Sequence, residues 1–343
     1  MKRRHLESLN LSLYQILIIL VLAILPSFIK TRIYRMAGAR LGKGVSLAFG
    51  TIILADGFNS IEIGDYSSVR SFSIILCSEI SIGDYSEIAP FVWIWGAGRL
   101  KVGNKCYIGP RSIVNLRRND FIMGEYSGVG PSSVIYTHGQ WLPYTEGWPR
   151  KYGDVVLEDH VWVPARVFIS PGVRIGSRSI IGSGAVVSKD IPPGVFAAGV
   201  PAKVISEVND FIDEIDEEEL YNRVIEIVYD LFDYFDFRMD DREELDFGCV
   251  FSFIEKSFIK NVHWKIIVLK PTIKDISCID GFSSNNNVIF FTLSDGSCEL
   301  KKGFQYWFDL KNLVCSSIDN NFIRNIWFYL RETWCITCNV EGP

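Results

Sequence analysis

A six-residue period of apolar side chains dominates residues 45 to 205. From Leu157 the chain reads Leu157-Glu-Asp-His-Val161-Trp, Val163-Pro-Ala-Arg-Val167-Phe and Ile169-Ser-Pro-Gly-Val173-Arg. It continues Ile175-Gly-Ser-Arg-Ser179-Ile, Ile181-Gly-Ser-Gly-Ala185-Val and Val187-Ser-Lys-Asp-Ile191-Pro. The first place is aliphatic in every unit, the second is small or acidic except at Pro164, and the fifth is small or β-branched. Neither a helical nor a simple alternating period produces this pattern. Upstream, Ile63-Gly-Asp-Tyr-Ser, Ile82-Gly-Asp-Tyr-Ser, Val102-Gly-Asn-Lys-Cys and Met123-Gly-Glu-Tyr-Ser start 19, 20 and 21 residues apart, and Ile88, Ile108 and Val129 fill the next face. Three short flat strands make one triangular coil of about 18 residues, with one inward aliphatic per side and Gly, Asp or Asn at the sharp corners. The pattern therefore predicts a mainly β protein with a parallel β-helix over 45–205. Cys77 and Cys106 read as small core or corner residues rather than catalysts.

Outside this region the pattern changes. Lys2, Arg3 and Arg4 precede an apolar run from Leu9 to Ile29, densest from Ile16 to Leu25, and Lys30, Arg32, Arg35, Arg40 and Lys43 follow. At about 20 residues the run is at the lower bound for a membrane span, and Pro26 ends or kinks a helix there. No small-x-small cleavage site follows the run, as a signal peptide requires. Basic residues on both flanks leave the orientation undecided and suit a helix lying in an anionic leaflet. A helix packed on the rest of the protein is the alternative. Phe211, Ile215, Val224, Ile227, Val228 and Leu231 recur at helical spacings in the next segment. Beyond it, 264–269, 287–292 and 304–309 read as strands and 322–332 as a helix. The expected organisation is an apolar, basic helical segment at 1–44, the β-helix at 45–205, an acidic helical linker at 206–246 and a small α+β domain at 247–343.

The chain has 343 residues with a net charge of −5, and 48% of its side chains are apolar. That excludes a disordered or low-complexity protein. The single long apolar run excludes a multi-span transporter. The mild net charge conceals an uneven distribution: residues 1–205 carry +8, residues 206–246 carry −14 and residues 247–343 carry +1. An acidic belt is unsuited to nucleic-acid binding, so no nucleic-acid partner is expected, and the belt reads as the solvated face of helices. Eight cysteines are spread too thinly for a disulfide scaffold. Cys335 and Cys338 form a CxxC, but only five residues follow and no second pair at metal spacing accompanies it. They read as core thiols. With four histidines in the chain, a three-histidine zinc centre cannot be assembled from His138 and His160 alone, and no metal is expected.

Three stretches resemble one family. Met123-Gly-Glu-Tyr-Ser-Gly-Val-Gly130-Pro131-Ser-Ser-Val-Ile-Tyr136-Thr137-His138 is similar to the coil leading into that family's catalytic histidine. Gly153-Asp154-Val-Val-Leu-Glu-Asp-His-Val161-Trp162-Val163 is similar to its re-entry strand. Ile181 to Val195, followed by Ala198-Gly199-Val-Pro201-Ala202-Lys203-Val-Ile205, is similar to its terminal coil and exit. The family is the left-handed β-helix hexapeptide-repeat acyltransferases, in the branch of maltose, galactoside and xenobiotic O-acetyltransferases and their polysaccharide-modifying relatives. The resemblance covers about half the chain and leaves 206–343 aside. It departs from the family at Pro164-Ala165-Arg166, where a glycine-rich stretch is usual, and at Ser132, where Asn is usual.

The period breaks between Ile135 and Val155, and an aperiodic excursion of this length in a compact fold is usually functional. The break holds Tyr136, His138, Trp141, Tyr144 and Trp148, an aromatic set suited to a wall for a sugar-like acceptor. His138, at the mouth of the excursion, is the candidate general base, because imidazole can accept a hydroxyl proton near neutral pH. The resemblance implies direct attack by the acceptor on acetyl-CoA without an acyl-enzyme, and it implies a contact from Asn115, one coil earlier. Glu158 or Asp154 is the candidate to orient the imidazole, and His160 reads as an exposed corner residue. The resemblance also places acetyl-CoA along the coils near Ala165 and Ser183, with Trp162, Lys189 and Lys203 as neighbouring candidates, and it implies a homotrimer. The expected function is acetyl-CoA-dependent O-acetylation of a saccharide, with a surface-polysaccharide precursor as the acceptor. The expected location is cytoplasmic, peripheral to the inner face of the membrane through residues 9–29. N-acylation of an amino or nucleotide-linked sugar, and a trimeric β-helix scaffold without catalysis, are the competing readings.

Overall fold

Each six-residue unit becomes a short strand and a corner. The structure is a computed structural model that describes residues 20–139, 142–212, 215–245, 248–255, 262–269, 288–293, 306–310, 314–316, 318, 321–334, 336 and 338–340. The chain divides into two compact units, Met1–Ile212 and Asp213–Pro343.

In the first unit the chain visits three parallel sheets in rotation. One holds, in order, Arg40–Leu41, Ile61–Ile63, Glu79–Ile82, Arg99–Val102, Phe121–Met123, Val155–Leu157 and Arg174–Ile175. The second begins at Ser46–Leu47, passes through Tyr107–Ile108 and Trp162–Val163, and ends in a hairpin of Val195–Gly199 with Ala202–Glu207. The third runs from Ile52–Leu54 through Trp93–Trp95, Ile113–Asn115 and Val134–Tyr136 to Val186–Val187. The first-place aliphatics point inward: Leu157, Val163, Ile169, Ile175, Ile181 and Val187 are all fully buried. Each such burial stabilises by about 2 kcal/mol, and stacking makes the core continuous.

The corners explain the remaining places of the repeat. Ser67, Ser86 and Ser127 are buried, and each hydroxyl ties two coils together. Ser67 Oγ donates to Gly83 O (2.6 Å) and accepts from the Ser86 N–H (2.8 Å). Ser86 Oγ donates to Gly103 O and accepts from the Cys106 N–H. Cys106 occupies the next place in that column, its Sγ donating to Gly124 O (2.9 Å). Burial pushes this thiol up to about 12, which makes it a structural group. Asp and Asn side chains form a parallel column: Asp84 Oδ1 accepts from the Asp65 N–H and Asn104 Oδ1 from the Asp84 N–H. These bonds satisfy corner N–H groups that no strand pairs.

A helix, Ser27–Met36, covers the start of the stack. Pro26 stands at its N-cap, so the helix begins where the apolar run was expected to break and continues beyond it. Residues 9–19 of that run, and Trp141, lie outside the described residues. Among the described residues no helix is long and apolar enough to cross a membrane. Lys30, which the sequence placed on a basic flank, turns inward. It is 1% exposed, and its Nζ donates to Ala48 O (2.8 Å), Thr51 Oγ1 (3.1 Å) and Ala23 O (3.2 Å). Burial lowers its pKa from 10.5 to about 8. The unfolded chain therefore binds this proton more tightly, and stability should rise as pH increases from about 8 towards 10.5. Urea titrations at successive pH values should show this slope, and Lys30→Met should remove it.

The second unit is α+β. Arg238–Leu245, Gly248–Glu255 and Val262–Leu269 are antiparallel. Val288–Thr292 and Tyr306–Asp309 then run parallel to Val262–Leu269, and Val314–Cys315 and Asn339–Val340 complete a seven-stranded sheet. Helices Glu217–Tyr234 and Asn321–Trp334 accompany it. Asp216 caps the first helix by accepting from the Glu219 N–H (2.8 Å). Its apolar face buries Val224, Ile227, Val228 and Leu231, whereas Phe211 and Ile215 precede the helix and are exposed. Among its described residues the acidic stretch is α-helical over 217–234, with a 3-10 turn at Val208–Phe211. Arg238–Leu245, expected to be helical, is an edge strand instead, and its exposed Asp241, Arg242, Glu243 and Glu244 suit an edge that must not pair further. Cys338 is buried in this unit and its carbonyl accepts from Trp327 Nε1 (2.9 Å). Cys335 lies outside the described residues.

Candidate active site

The third sheet ends its fifth coil at Tyr136, and Thr137 then fixes the chain before it leaves the stack. The Thr137 N–H and Oγ1 both donate to Asn115 O, at 3.0 and 3.1 Å. His138–Gly139 next pairs antiparallel with Lys151–Tyr152, with His138 opposite Tyr152. The Gly153 N–H returns to Thr137 O (3.2 Å). The excursion is therefore closed at its neck by a short ladder, and His138 stands in that neck. Gly153 permits this closure: a Cβ there would lie 2.5 Å from the Gly172 Cα.

The imidazole is half-buried and stacks on Tyr136, with ring centroids 5.8 Å apart and planes inclined by 15°. Tyr136 also meets Phe168 in an edge-to-face pair, with centroids 5.9 Å apart. Asn115 pairs with Tyr136 in register, and Trp95 pairs with Asn115. Because Ile94, Val114 and Ile135 point into the core, Trp95, Asn115 and Tyr136 all project from the same outer face, one per coil. Trp95 escaped the sequence reading. Its signal was the coil spacing itself, since it precedes Asn115 by 20 residues.

Glu158 and Asp154 are committed elsewhere. Glu158 accepts from Arg174 Nη1 (3.0 Å) and from the Ser177 N–H and Oγ. These donors, Arg174 first, hold its carboxyl below the usual range. Asp154 Oδ1 accepts from the Asp120 N–H (2.9 Å) and Asn119 Nδ2 (3.1 Å). Both carboxylates bind coil corners. His160 is an exposed corner residue at φ 59°, stacked on Tyr126 with centroids 5.0 Å apart. Beyond the neck, Tyr144 and Trp148 are exposed on the excursion, and Arg150 lies over the Tyr144 ring at 4.4 Å.

Ala165 and Ser183, expected near acetyl-CoA, lie at a different corner. Ala165 follows the second sheet, and Ala165 O accepts from the Gly184 N–H (3.0 Å), so Ala165 and Ser183 stack in consecutive coils. Trp162 projects outward on the adjoining strand, 42% exposed, packed over Gly128. Lys189 is exposed beyond the last strand of the third sheet. Lys203 is exposed on the terminal hairpin, opposite Ala198. The corner of Ala165 opens the third sheet and the corner of His138 closes it. Within one chain Ala165 and Ser183 stand at the opposite margin of that face from His138, whereas Lys189, just past Val187, lies on the His138 side. Among the described residues, no group of three His, Cys, Asp or Glu side chains could hold a metal ion.

Comparison with known proteins agrees with the repeat. The family described as bacterial transferase hexapeptide (six repeats) matches residues 154–189. The galactoside O-acetyltransferase of Escherichia coli (strain K12) is 36% identical over 128 residues, which cover 34% of this chain and 62% of that protein. The match thus spans less than two thirds of that relative's length. The galactoside O-acetyltransferase of Lactococcus lactis is 29% identical over 161 residues, covering 46% of this chain and 77% of that protein. Among solved structures, an N-acyltransferase from Bacillus cereus, bound to dTDP-4-amino-4,6-dideoxyglucose and coenzyme A, is 19% identical. It covers 57% of this chain and 95% of that one, with a TM-score of 0.37.

Proposed function

We infer that this chain, which carries the hexapeptide repeat of bacterial transferases over residues 154–189, is an acetyl-CoA-dependent O-acetyltransferase acting on a saccharide hydroxyl. The observation that carries the reading is His138. It stands in the neck of the aromatic excursion, stacked on Tyr136, on a segment anchored to Asn115. In this reading the coil stack is a left-handed β-helix. The imidazole takes the proton of the acceptor hydroxyl as its oxygen attacks the thioester carbonyl. The C–S bond then breaks, the ester is released, and the proton passes from the imidazolium to the departing thiolate. Two named galactoside O-acetyltransferases among the relatives support the substrate class.

Asn115 and Tyr136, projecting from one face, and Tyr144, Trp148 and Trp141 of the excursion form the acceptor side. Ala165 and Ser183 provide a corner of small side chains along which the pantetheine arm lies. Trp162 flanks it, and Lys189 and Lys203 supply positive charge for its phosphates. Ala165 and Ser183 lie at the opposite margin of that face from His138, so a second copy must bring its Ala165 corner to the first copy's histidine. A homotrimer achieves this by closed rotation. We assign the acceptor to a surface-polysaccharide precursor and the enzyme to the inner face of a membrane, reached through residues 9–29.

The test is release of free thiol from acetyl-CoA across a panel of galactosides, maltose, amino sugars and lipid-linked saccharides. Acceptor-dependent release with an ester product is the expected result. An amide product would replace O- by N-transfer. Absence of both acetyl-CoA binding and thiol release would overturn the assignment in favour of a scaffold.

A further inference from the structure

The corner directly beneath the histidine carries two arginines. Strand pairing sets Trp95, Asn115 and Tyr136 in register, and the corner continues that file. The Leu116 N–H donates to Trp95 O (2.7 Å) and the Thr137 N–H to Asn115 O (3.0 Å). The next residues in the three coils are Ala97, Arg117 and His138. Arg117 therefore leaves the stack one rung, about 4.8 Å, below His138. Arg117 and Arg118 are both exposed. The same corner reads Gly96-Ala97-Gly98 one coil lower and Ser170-Pro171-Gly172 one coil above the neck. Over these coils, paired positive charge is confined to the one under the candidate base.

Both ends of the arginine loop are fixed. At its start, Leu116 O accepts from the Gly98 N–H (2.7 Å). At its end, Asp154 Oδ1 accepts from Asn119 Nδ2 (3.1 Å) and the Asp120 N–H (2.9 Å), and Asp120 O accepts from the Val155 N–H (3.0 Å). Asp154 follows Gly153, whose N–H closes the neck on Thr137 O. The loop is thus bonded to both sides of the neck, through Asn115 where the excursion leaves and through Asp154 where it returns. The corner carboxylates are engaged: Asp154 by these two donors, and the buried Asp120 by Arg99 at 2.6 Å. Glu146 is exposed on the excursion, which also carries Arg150 and Lys151. Lys151 Nζ donates to Ser188 O (3.4 Å), beside Lys189. Ala165 and Ser183 precede the sixth and seventh strands of the third sheet, above the neck, whereas Arg117 and Arg118 follow the fourth. A ring closed about an axis along the stack keeps each coil at its own height. The proposed cofactor track therefore runs upward from His138 and leaves the arginine loop to the acceptor.

We propose that Arg117 and Arg118 bind the phosphates of a glycosyl diphosphate, so that the sugar is acetylated while still joined to a nucleotide or lipid carrier. Two guanidinium forks on one anchored loop suit paired phosphates, which accept bidentate hydrogen bonds. The sugar spans from the arginines to the imidazole and presents one hydroxyl to it. The diphosphate is an anchor: none of its bonds breaks, and holding it orients the hydroxyl for attack on the thioester. This rests on the acetyl-transfer reading above and narrows its substrate class.

The test compares acetyl transfer to methyl galactoside, UDP-galactose and galactosyl diphosphate on a polyprenyl carrier, by the wild type and by Arg117→Gln/Arg118→Gln. The wild type should favour at least one diphosphate acceptor over methyl galactoside by about 10- to 100-fold in kcat/KM, the range that hydrogen bonds to charged groups supply. Preference for UDP-galactose would assign a nucleotide carrier, and preference for the polyprenyl form a lipid carrier. In the glutamine variant the ratio should fall towards one, with the melting curve and the KM for acetyl-CoA unchanged. Arg117→Lys/Arg118→Lys, which keeps the charge but not the fork, should recover part of the ratio. Equal kcat/KM for all three acceptors in the wild type would overturn the diphosphate anchor and leave acetyl transfer standing. A preference that survives in the glutamine variant would overturn the assignment to these arginines. A raised KM for acetyl-CoA in that variant would give them to the cofactor and overturn it as well. Absence of transfer to these three acceptors and to the wider sugar panel would overturn both readings.

Discussion

His138→Ala should lower kcat by about 100- to 10,000-fold, the range expected when a positioned general base is removed. Acetyl-CoA affinity should stay within a factor of about two, because the proposed cofactor corner is built by Ala165 and Ser183 on other coils. The melting temperature should move little. His138 is only half-buried, and the neck is closed by backbone pairing with Tyr152 and by Thr137 on Asn115, none of which uses the imidazole. That combination separates a catalytic base from a structural histidine, which would lose stability along with activity. Tyr136→Ala should give a smaller loss of kcat, about tenfold. It removes the ring against which the imidazole stacks but leaves the base. Tyr136→Phe, which keeps the stack, should recover most of it. Turnover by His138→Ala equal to that of the wild type, under saturating acetyl-CoA and acceptor, would exclude the base role.

The two halves of the chain differ in how openly the sequence declared them. In the coil stack every inward place faces the same environment, so the aliphatics at Leu157, Val163 and Ile169 repeat and the period is visible without structure. The corners repeat for the same reason: one short polar side chain per coil meets the same backbone groups. Lys30 was misread because a lysine beside an apolar run looks like a flank. Only the fold places the three acceptors of Ala23, Ala48 and Thr51 around its ammonium. Arg238–Leu245 was misread because an edge strand tolerates charge on both sides and so shows no alternation. Around the candidate site, His138 and Tyr136 were legible as the end of the period. The shared outer face of Trp95, Asn115 and Tyr136 was not, because outward positions carry no constraint on residue type and their alignment appears only once the coils are stacked. The engagement of Glu158 by Arg174 and Ser177 was equally hidden, since it joins residues on adjacent coils.

Gly96→Val should be the most damaging single substitution in the stack for its size. Gly96 follows Trp95 at the corner where the third sheet ends, and it adopts φ 137°, a conformation open to glycine and costly for a branched side chain. A Cβ built there meets the Leu116 carbonyl carbon and oxygen at 2.3 Å and the Arg117 nitrogen at 2.9 Å. All three are backbone atoms, so no rotamer change can relieve the overlap. Leu116 is also tied in place: its N–H donates to Trp95 O (2.7 Å) and its carbonyl accepts from the Gly98 N–H (2.7 Å). Backbone strain of about 1–3 kcal/mol and overpacking of similar size together predict a loss of about 4 kcal/mol, or roughly 10 °C in the melting temperature of the coil unit. Gly184→Ala provides the control. Gly184 also has positive φ, at 73°, but nothing lies within 4 Å of its Cβ position, so only the conformational cost of about 1 kcal/mol applies. A displaced Leu116 also moves Asn115 beside it, and with it the carbonyl that anchors Thr137. Below the melting transition, Gly96→Val should therefore lose kcat while its affinity for acetyl-CoA persists. Equal melting temperatures for the two glycine variants would show that the coils slide apart more freely than their hydrogen bonds imply. A lowered melting temperature with undiminished turnover would show that the histidine neck does not depend on the coil beneath it.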